Sequence, residues 1–386
     1  MENKKWKKIS IAPLIFGLLP LGYFYKGGEG KGFFDITLIL FIMLYLIFLY
    51  NLIVLKRSME FYFRDVLFFV WIILVVGSVL YTPHQTEGII KAAKFIFLSM
   101  PMIFFGRVIL KGQEDFIACI KYFVFFSAFF EIVVLIDFIQ NGAPLGRYKF
   151  QAVHPVPLSM LGSLNIIILF LLYIEKKLKA IKFVLMLILS ISTVIIASSK
   201  GPIVSLVIVL ILLIPYLKKK VNLKFAISFL VTSCIAYFII LKMQVISNNL
   251  DVLISRFQNA SGDGSTEERL GLYNIAFDIF KEHPFFGGGI SCFIEGTYPH
   301  NVILEILAEN GLVVGVLFAG LIWFIIKKYY EYIIKSNYVN FINVISLSIT
   351  IMTLINLMYS WSYIDNKFFY LGLGLLWNTQ LVKSRY

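Results

Sequence analysis

The sequence predicts an all-α polytopic membrane protein with about twelve transmembrane helices and one long extracytoplasmic loop. Three observations lead there. The 386 residues are 59% hydrophobic and 15% charged, whereas soluble domains carry roughly a quarter charged residues. Apolar runs near the bilayer-spanning length, about 20 residues as helix, recur from end to end. Lys and Arg concentrate in alternate breaks between those runs, as topogenic charge does. A water-soluble globular enzyme is excluded, and so is a disordered chain, because Leu, Ile, Val and Phe dominate. The net charge of +13 does not imply a nucleic-acid partner in a chain that lies mostly in lipid.

In chain order the runs fall at 9–25, 33–55, 61–81, 88–105, 116–139, 155–175, 182–199, 201–217, 224–246, 301–326, 340–361 and 367–382. Lys4-Lys5-Trp6-Lys7-Lys8 precedes the first, but Gly22 to Gly32 offers no small-x-small cleavage site, so that run is read as an uncleaved helix. The seventh and eighth form a close pair split only by Lys200-Gly201-Pro202. One set of breaks holds Lys56, Arg57, Lys176, Lys177, Lys218, Lys219, Lys220, Lys327 and Lys328. The opposite set holds far fewer cations, among them Arg147, Lys200, Arg256 and Arg269. Cytoplasmic loops collect positive charge, so both termini are expected in the cytoplasm. The whole chain, 1–386, reads as a single integral membrane domain.

That orientation leaves 247–300 outside the cytoplasm, the one loop large enough for structure of its own. Ser261-Gly262-Asp263-Gly264-Ser265 reads as a flexible turn, and an amphipathic helix is expected over about 266–282 with Thr266 as its cap. Pro284 ends it, and Gly287-Gly288-Gly289 permits closely approached backbone. Cys119, Cys234 and Cys292 show neither metal spacing nor a disulfide framework.

No Walker sequence, dinucleotide fingerprint, zinc-protease helix or G-x-S-x-G is present. The cytoplasmic loops are too short for a nucleotide-binding domain, so chemistry is expected at the outer face. Of four His residues (84, 154, 283 and 300), His300 begins a membrane helix at that boundary. An imidazole there suits a general base near neutral pH; its other role is to anchor the helix end. The outer cations Arg147, Lys200, Arg256 and Arg269 suit phosphate oxygens and a diphosphate leaving group, or else they are solvated or paired with loop acids. Lys91 and Lys94, three residues apart inside a run, are expected on one helix face lining an outward cavity, unless they snorkel. Asn301, Glu305 and Glu309 form a polar stripe expected to face a cleft beside His300. Gly311-x-x-x-Gly315 reads as helix–helix packing. Glu131 and Asp137 inside the fifth run leave proton coupling, and hence a transporter, open.

One stretch of about 60 residues resembles the bacterial O-antigen polymerases and ligases. It runs from Ile254-Ser255-Arg256-Phe257 through Glu268-Arg269-Leu270. It continues with Ala276-x-x-Ile279-Phe280-x-x-His283-Pro284-Phe285-Phe286-Gly287-Gly288-Gly289. It closes with His300-Asn301-x-x-Leu304-Glu305-x-x-Ala308-Glu309-x-Gly311-Leu312-x-x-Gly315, and Gly146-Arg147 and Ser198-Ser199-Lys200-Gly201 are weaker echoes. The resemblance implies a C-type glycosyltransferase-like fold in the bacterial cytoplasmic (inner) membrane, needing no metal, cofactor or nucleotide sugar. It implies a glycan on undecaprenyl diphosphate as donor. By position, His300 would be the base, and Arg269, Arg256 and Lys200 would hold the diphosphate. The family commonly has Arg where Lys200 stands. The implied reaction is polymerisation of O-antigen or capsule onto a lipid-linked repeat unit. The alternatives are ligation to lipid A-core, or transport by a lipid-linked oligosaccharide flippase. A flippase and a chain-length regulator are the protein partners such a polymerase would have.

Overall fold

In the computed structural model, residues 11–23, 35–57, 59, 61–110, 112–142, 144–151, 153–220, 244–258, 264–293, 297–336 and 340–378 are described. Among them the chain is helical, with one isolated bridge between Phe150 and Val153. In order, the helices are α1 (Ile11–Gly17), α2 (Ile36–Ile53), α3 (Phe63–Gly77), α4 (Gln85–Lys94), α5 (Pro101–Val108), α6 (Gln113–Gln140), α7 (Pro155–Ile174), α8 (Ala180–Ala197), α9 (Lys200–Leu212) and α10 (Ile214–Lys220). There follow α11 (Gln244–Gln258), α12 (Gly264–Glu282), α13 (Val302–Tyr329), α14 (Phe341–Leu357) and α15 (Lys367–Trp377).

Among the described residues, seven continuous helical segments are long and apolar enough to cross a bilayer, or eight if the bent pair α9 and α10 is one span. The expected count of about twelve is not reached by that measure, for identifiable reasons. The first run folds as the short α1 and a 3-10 turn. Runs eleven and twelve fold as α14 and α15, which are 17 and 11 residues long. The ninth run, 224–246, lies outside the described residues except for its last three, as do most of the 261–265 turn, Lys26 and Lys31. The fourth run is continuous from Gln85 to Val108 only through a π-turn at Phe95–Ser99. Pro101 explains it, since proline has no N–H and its ring crowds the preceding turn. The anticipated loop helix begins at Gly264, two residues before the expected cap Thr266.

α7 is the centre of the bundle, with nearly all its residues buried. The connections gather at two ends in alternation. At one end Tyr81 donates to the Phe286 carbonyl at 2.7 Å, and the Gly146 amide donates to Asn249 at 3.1 Å. The Arg256 guanidinium donates there to the Ser198 carbonyl. At the other, Arg57 donates to the Val108 carbonyl at 2.9 Å, Lys219 to the Ile333 carbonyl at 2.9 Å, and Lys220 pairs with Glu175 at 2.9 Å.

The position of the first end depends on a break in α13. Gly311 has φ +70°, a left-handed value that interrupts the helix. In an unbroken helix the amides of Leu312 and Val313 would donate to the carbonyls of Ala308 and Glu309. Here they donate to the carbonyls of Pro284 and Phe285 at 2.9 and 3.2 Å. The abandoned carbonyls of Ala308 and Glu309 accept from the amides of Gly288 and Gly289 at 2.8 and 2.9 Å. The Pro284–Gly289 segment is thus spliced into the helix, and both severed bonds are replaced. Non-helical backbone at membrane depth is tolerated when its polar groups are satisfied by protein in this way. The approach leaves no room for side chains: a Cβ on Gly311 would sit 2.3 Å from the Phe285 carbonyl, and one on Gly287 2.3 Å from the Asn310 amide. Helix–helix packing, expected of Gly311-x-x-x-Gly315, is therefore not what Gly311 does. At Gly315 an added Cβ would meet only the Leu307 side chain.

Gly311→Ala combines a left-handed φ, which costs a non-glycine residue about 1–3 kcal/mol, with a backbone clash. It is expected to lower the detergent-solubilised melting temperature sharply. Gly320→Ala, where nothing lies within 4 Å, should leave that temperature unchanged in the same assay.

Candidate functional site

His300 lies just ahead of α13, whose first turn is capped by Asn301: its side chain accepts from the amides of Ile303 and Leu304 at 3.1 and 3.2 Å. Having been used as a cap, Asn301 is accounted for structurally. His300 itself has φ +51°, uncommon for a residue with a side chain. Its ring packs on Tyr298 with centroids 4.2 Å apart. Its Nδ1 is buried without a hydrogen-bond partner among the described residues. Burial, and then the charges of Arg269, His154 and Arg147, lower its proton affinity to a pKa of about 4. His154, at the start of α7, is lowered too, by burial and then by Arg147 and Lys149. The imidazole of His300 is accordingly neutral near pH 7, able to accept a proton and unable to donate one.

The outer cations are drawn to the same end by separate elements. Arg147 sits on the 141–154 loop, whose neighbours tie it to α8 and α11: the Tyr148 amide donates to the Ile196 carbonyl at 3.3 Å, and the Gly146 amide to Asn249. Arg256, near the end of α11, binds the carbonyl of Ser198, two residues before Lys200 at the start of α9. Ser198 is left-handed, φ +47°, which turns the chain from α8 directly into α9. Arg269 lies in the first half of α12 and acts on His300 electrostatically. Arg269, Arg147 and His154 thus act on His300, while Arg256 and Lys200 sit at the α8–α9 turn, which the 141–154 loop also contacts.

Lys91 and Lys94 do not share a destination. Lys91 forms a buried ion-pair triad with Glu309 at 2.6 Å and Glu305 at 3.2 Å. Glu305 also accepts from the Ser362 hydroxyl. Glu309 accepts from the Ser291 amide at 2.9 Å and the Tyr363 hydroxyl at 3.0 Å. The polar stripe of α13 is therefore directed at protein partners, and Glu305 and Lys91 hold each other instead of lining an open cavity. Lys94 instead lines a separate cavity of about 550 Å³ with Trp361, Asp365 and Lys367. Inside α6, Glu131 accepts from Asn165 at 3.0 Å and Ser190 at 2.9 Å, while Asp137 accepts from the Tyr148 hydroxyl and from Asn141 at 3.1 Å. Both acids have local partners, which for Glu131 satisfy a fully buried carboxyl.

Tyr298, His154, Ser362 and Tyr363 were not singled out by sequence. His154-Pro155 precedes a helix much as His300-Asn301 does, which is a usable signal. Ser362 and Tyr363 carry none, because they lie far along the chain in a turn between two short helices.

Residues 185–319 match the family model described as O-antigen ligase (Wzy_C). The matched span begins in α8 and ends in α13, so it takes in Lys200, Arg256, Arg269, His300 and the broken helix. It supports placing the chain with the O-antigen polymerase and ligase family of membrane enzymes. No curated protein matches the chain significantly.

Two outcomes are expected. Lys91→Met leaves two buried carboxylates without their cation and should cost about 3–5 kcal/mol of stability. Adding Glu305→Gln and Glu309→Gln should recover part of that in the same thermal assay; no recovery would contradict the triad. Separately, the Arg269 cation holds imidazolium off His300, so Arg269→Gln should raise the pH at which His300 becomes protonated above about 4. The pH dependence of diethylpyrocarbonate modification at His300, mapped by mass spectrometry, reads that shift directly.

Proposed function

We propose that this membrane enzyme is a polysaccharide polymerase. It transfers a growing glycan from undecaprenyl diphosphate to a lipid-linked repeat unit at the outer face of the cytoplasmic membrane, with both termini on the cytoplasmic side and 247–300 forming part of the site. The observation that carries this reading is a neutral, partly buried His300 set among cations that suit a diphosphate. His300 takes the proton from the acceptor hydroxyl, and the freed oxygen bonds to the anomeric carbon of the donor. The bond from that carbon to the diphosphate oxygen breaks, and its electron pair leaves on the diphosphate. Arg269, Arg256, Lys200 and Arg147 stabilise that charge. The same cations that keep His300 neutral would be balanced by a bound diphosphate, so donor binding strengthens the base when it is needed. Lys200 contributes charge without the bidentate geometry of Arg.

A second reading, ligation to lipid A-core, has a specific observation in its favour: the matching family model is described as O-antigen ligase. Purified protein given lipid-linked repeat units separates the two. A ladder of longer glycans, reduced about 10²–10⁴-fold in His300→Ala, supports polymerisation. Transfer only to lipid A-core reassigns the acceptor. Movement of the lipid across vesicles with no new glycosidic bond overturns both.

A further inference from the structure

Two residues with side chains hold left-handed backbone on either side of one tyrosine. His300 has φ +51° and Trp361 has φ +70°. Such values are costly for a bulky residue and persist where the surroundings over-determine them. At Trp361 both flanks are fixed. The Ser360 amide donates to the Asn356 carbonyl at 2.8 Å. On the other side the Ser362 hydroxyl and the Tyr363 amide donate to Glu305, the latter at 3.4 Å, and the Tyr363 hydroxyl donates to Glu309 at 3.0 Å. Those two carboxylates are in turn held by Lys91.

So placed, the Trp361 amide donates to the Tyr298 hydroxyl. Burial, and then the charge of Glu305, push the Tyr298 phenol up, so it stays neutral. Its ring lies on the His300 imidazole, with centroids 4.2 Å apart and planes inclined by 51°. A catalytic base is ordinarily oriented by a third group, often through a hydrogen bond to its second nitrogen. Nδ1 of His300 has no such partner among the described residues. The torsion that turns an imidazole about its Cβ–Cγ bond is broad, so its direction here is left to packing, and Tyr298 packs on it.

We propose that Tyr298 is a positioning residue for His300: its ring sets the direction of the imidazole, and the Trp361 amide sets the ring. The proposal rests on the glycosyl-transfer reading above. It gives the Lys91–Glu305–Glu309 group a part in placing the base, transmitted through the 360–363 turn. A turned imidazole carries its accepting nitrogen off the line to the acceptor hydroxyl, and a misplacement of about 1 Å costs on the order of 10²-fold in rate.

The test compares Tyr298→Leu with Tyr298→Phe in the full-length protein in detergent. With lipid-linked repeat units, Tyr298→Leu should lower kcat about 10²-fold and leave KM unchanged, as loss of an interaction that acts only on the chemical step does. Tyr298→Phe keeps the ring and gives up only the bond from Trp361, so its kcat should stay within about tenfold of the wild type. Tyr298→Met takes the place of Tyr298→Leu if the latter does not fold. A second readout needs no turnover. At about pH 8 an imidazole is neutral whether its pKa is about 4 or the ordinary value of about 6.5, so diethylpyrocarbonate modification there reads access alone. Tyr298→Leu should speed modification of His300 relative to the exposed His283, and Tyr298→Phe should not. Wild-type kcat in Tyr298→Leu, a raised KM with kcat unchanged, equal loss of kcat in both variants, or a wild-type modification rate in Tyr298→Leu overturns the assignment. Absence of any glycosidic product from the wild type sinks the enzymatic reading, a failure read in a different assay from the modification rate that decides whether Tyr298 holds the ring.

Discussion

The exchange of hydrogen bonds at Gly311 is the constraint on which the outer end of the bundle depends. A helix broken at membrane depth exposes two amides and two carbonyls, and leaving such groups unpaired in an apolar medium costs several kcal/mol each. Pro284–Gly289 supplies four backbone groups in the complementary order, with all four bonds at 3.2 Å or less. Because the match is backbone to backbone, it fixes the register of the loop against α13 to the residue. Downstream consequences follow at once: Gly289 is pressed against Thr82, where a Cβ would lie 2.7 Å from its Cα, and the Ile290 amide reaches the Ser78 hydroxyl at 2.9 Å. One break in one helix therefore places the loop, the end of α3 and the start of α4 together.

Glu309 couples that splice to the buried charges. Its backbone carbonyl accepts from Gly289, and its carboxylate accepts from Lys91, Ser291 and Tyr363. Three chain segments thus meet at one residue. The turn after α14 can dip inward because α15 is short: 11 residues at about 1.5 Å each fall well short of a ~30 Å hydrocarbon core. Its hydroxyls then serve the two carboxylates that a single lysine cannot satisfy. Neutral donors complete the shell, as a buried ion pair requires if it is not to destabilise the fold.

Much of this was legible in sequence, and the exceptions share a cause. Apolar runs, the loop helix and the approach of Arg147 and Arg269 to His300 follow from one-dimensional signals: hydropathy, Gly and Pro, and order along the chain. Gly311 was misread because a glycine that packs against a neighbouring helix and one that breaks its own helix look identical in sequence. Lys91 and Lys94 were expected on one face, but three residues still separate directions by 60° on a helix of 3.6 residues per turn. That turn sends Lys91 to Glu305 and Glu309, and Lys94 to a separate cavity. Ser362 and Tyr363 were invisible because only tertiary approach gives them a partner.

In the glycosyl transfer proposed above, the electrostatics around His300 would resolve an apparent conflict between its two requirements. A base should bind its proton well, yet the cations needed for a departing diphosphate expel that proton. In the empty site burial lowers the proton affinity of His300 most, and Arg269, His154 and Arg147 add to that. Occupancy by a dianionic or trianionic diphosphate reverses the local sign, because opposite charges within about 4–6 Å favour imidazolium by the same Coulomb term that disfavoured it before. In that proposed reaction the proton taken from an acceptor hydroxyl would move toward a site whose charge has become favourable because the leaving group is in place. On that reading, base strength beyond the effect of burial and leaving-group stabilisation would be two consequences of one cation set. That set can be rich in Arg, since guanidinium stays charged throughout and cannot itself compete for the proton.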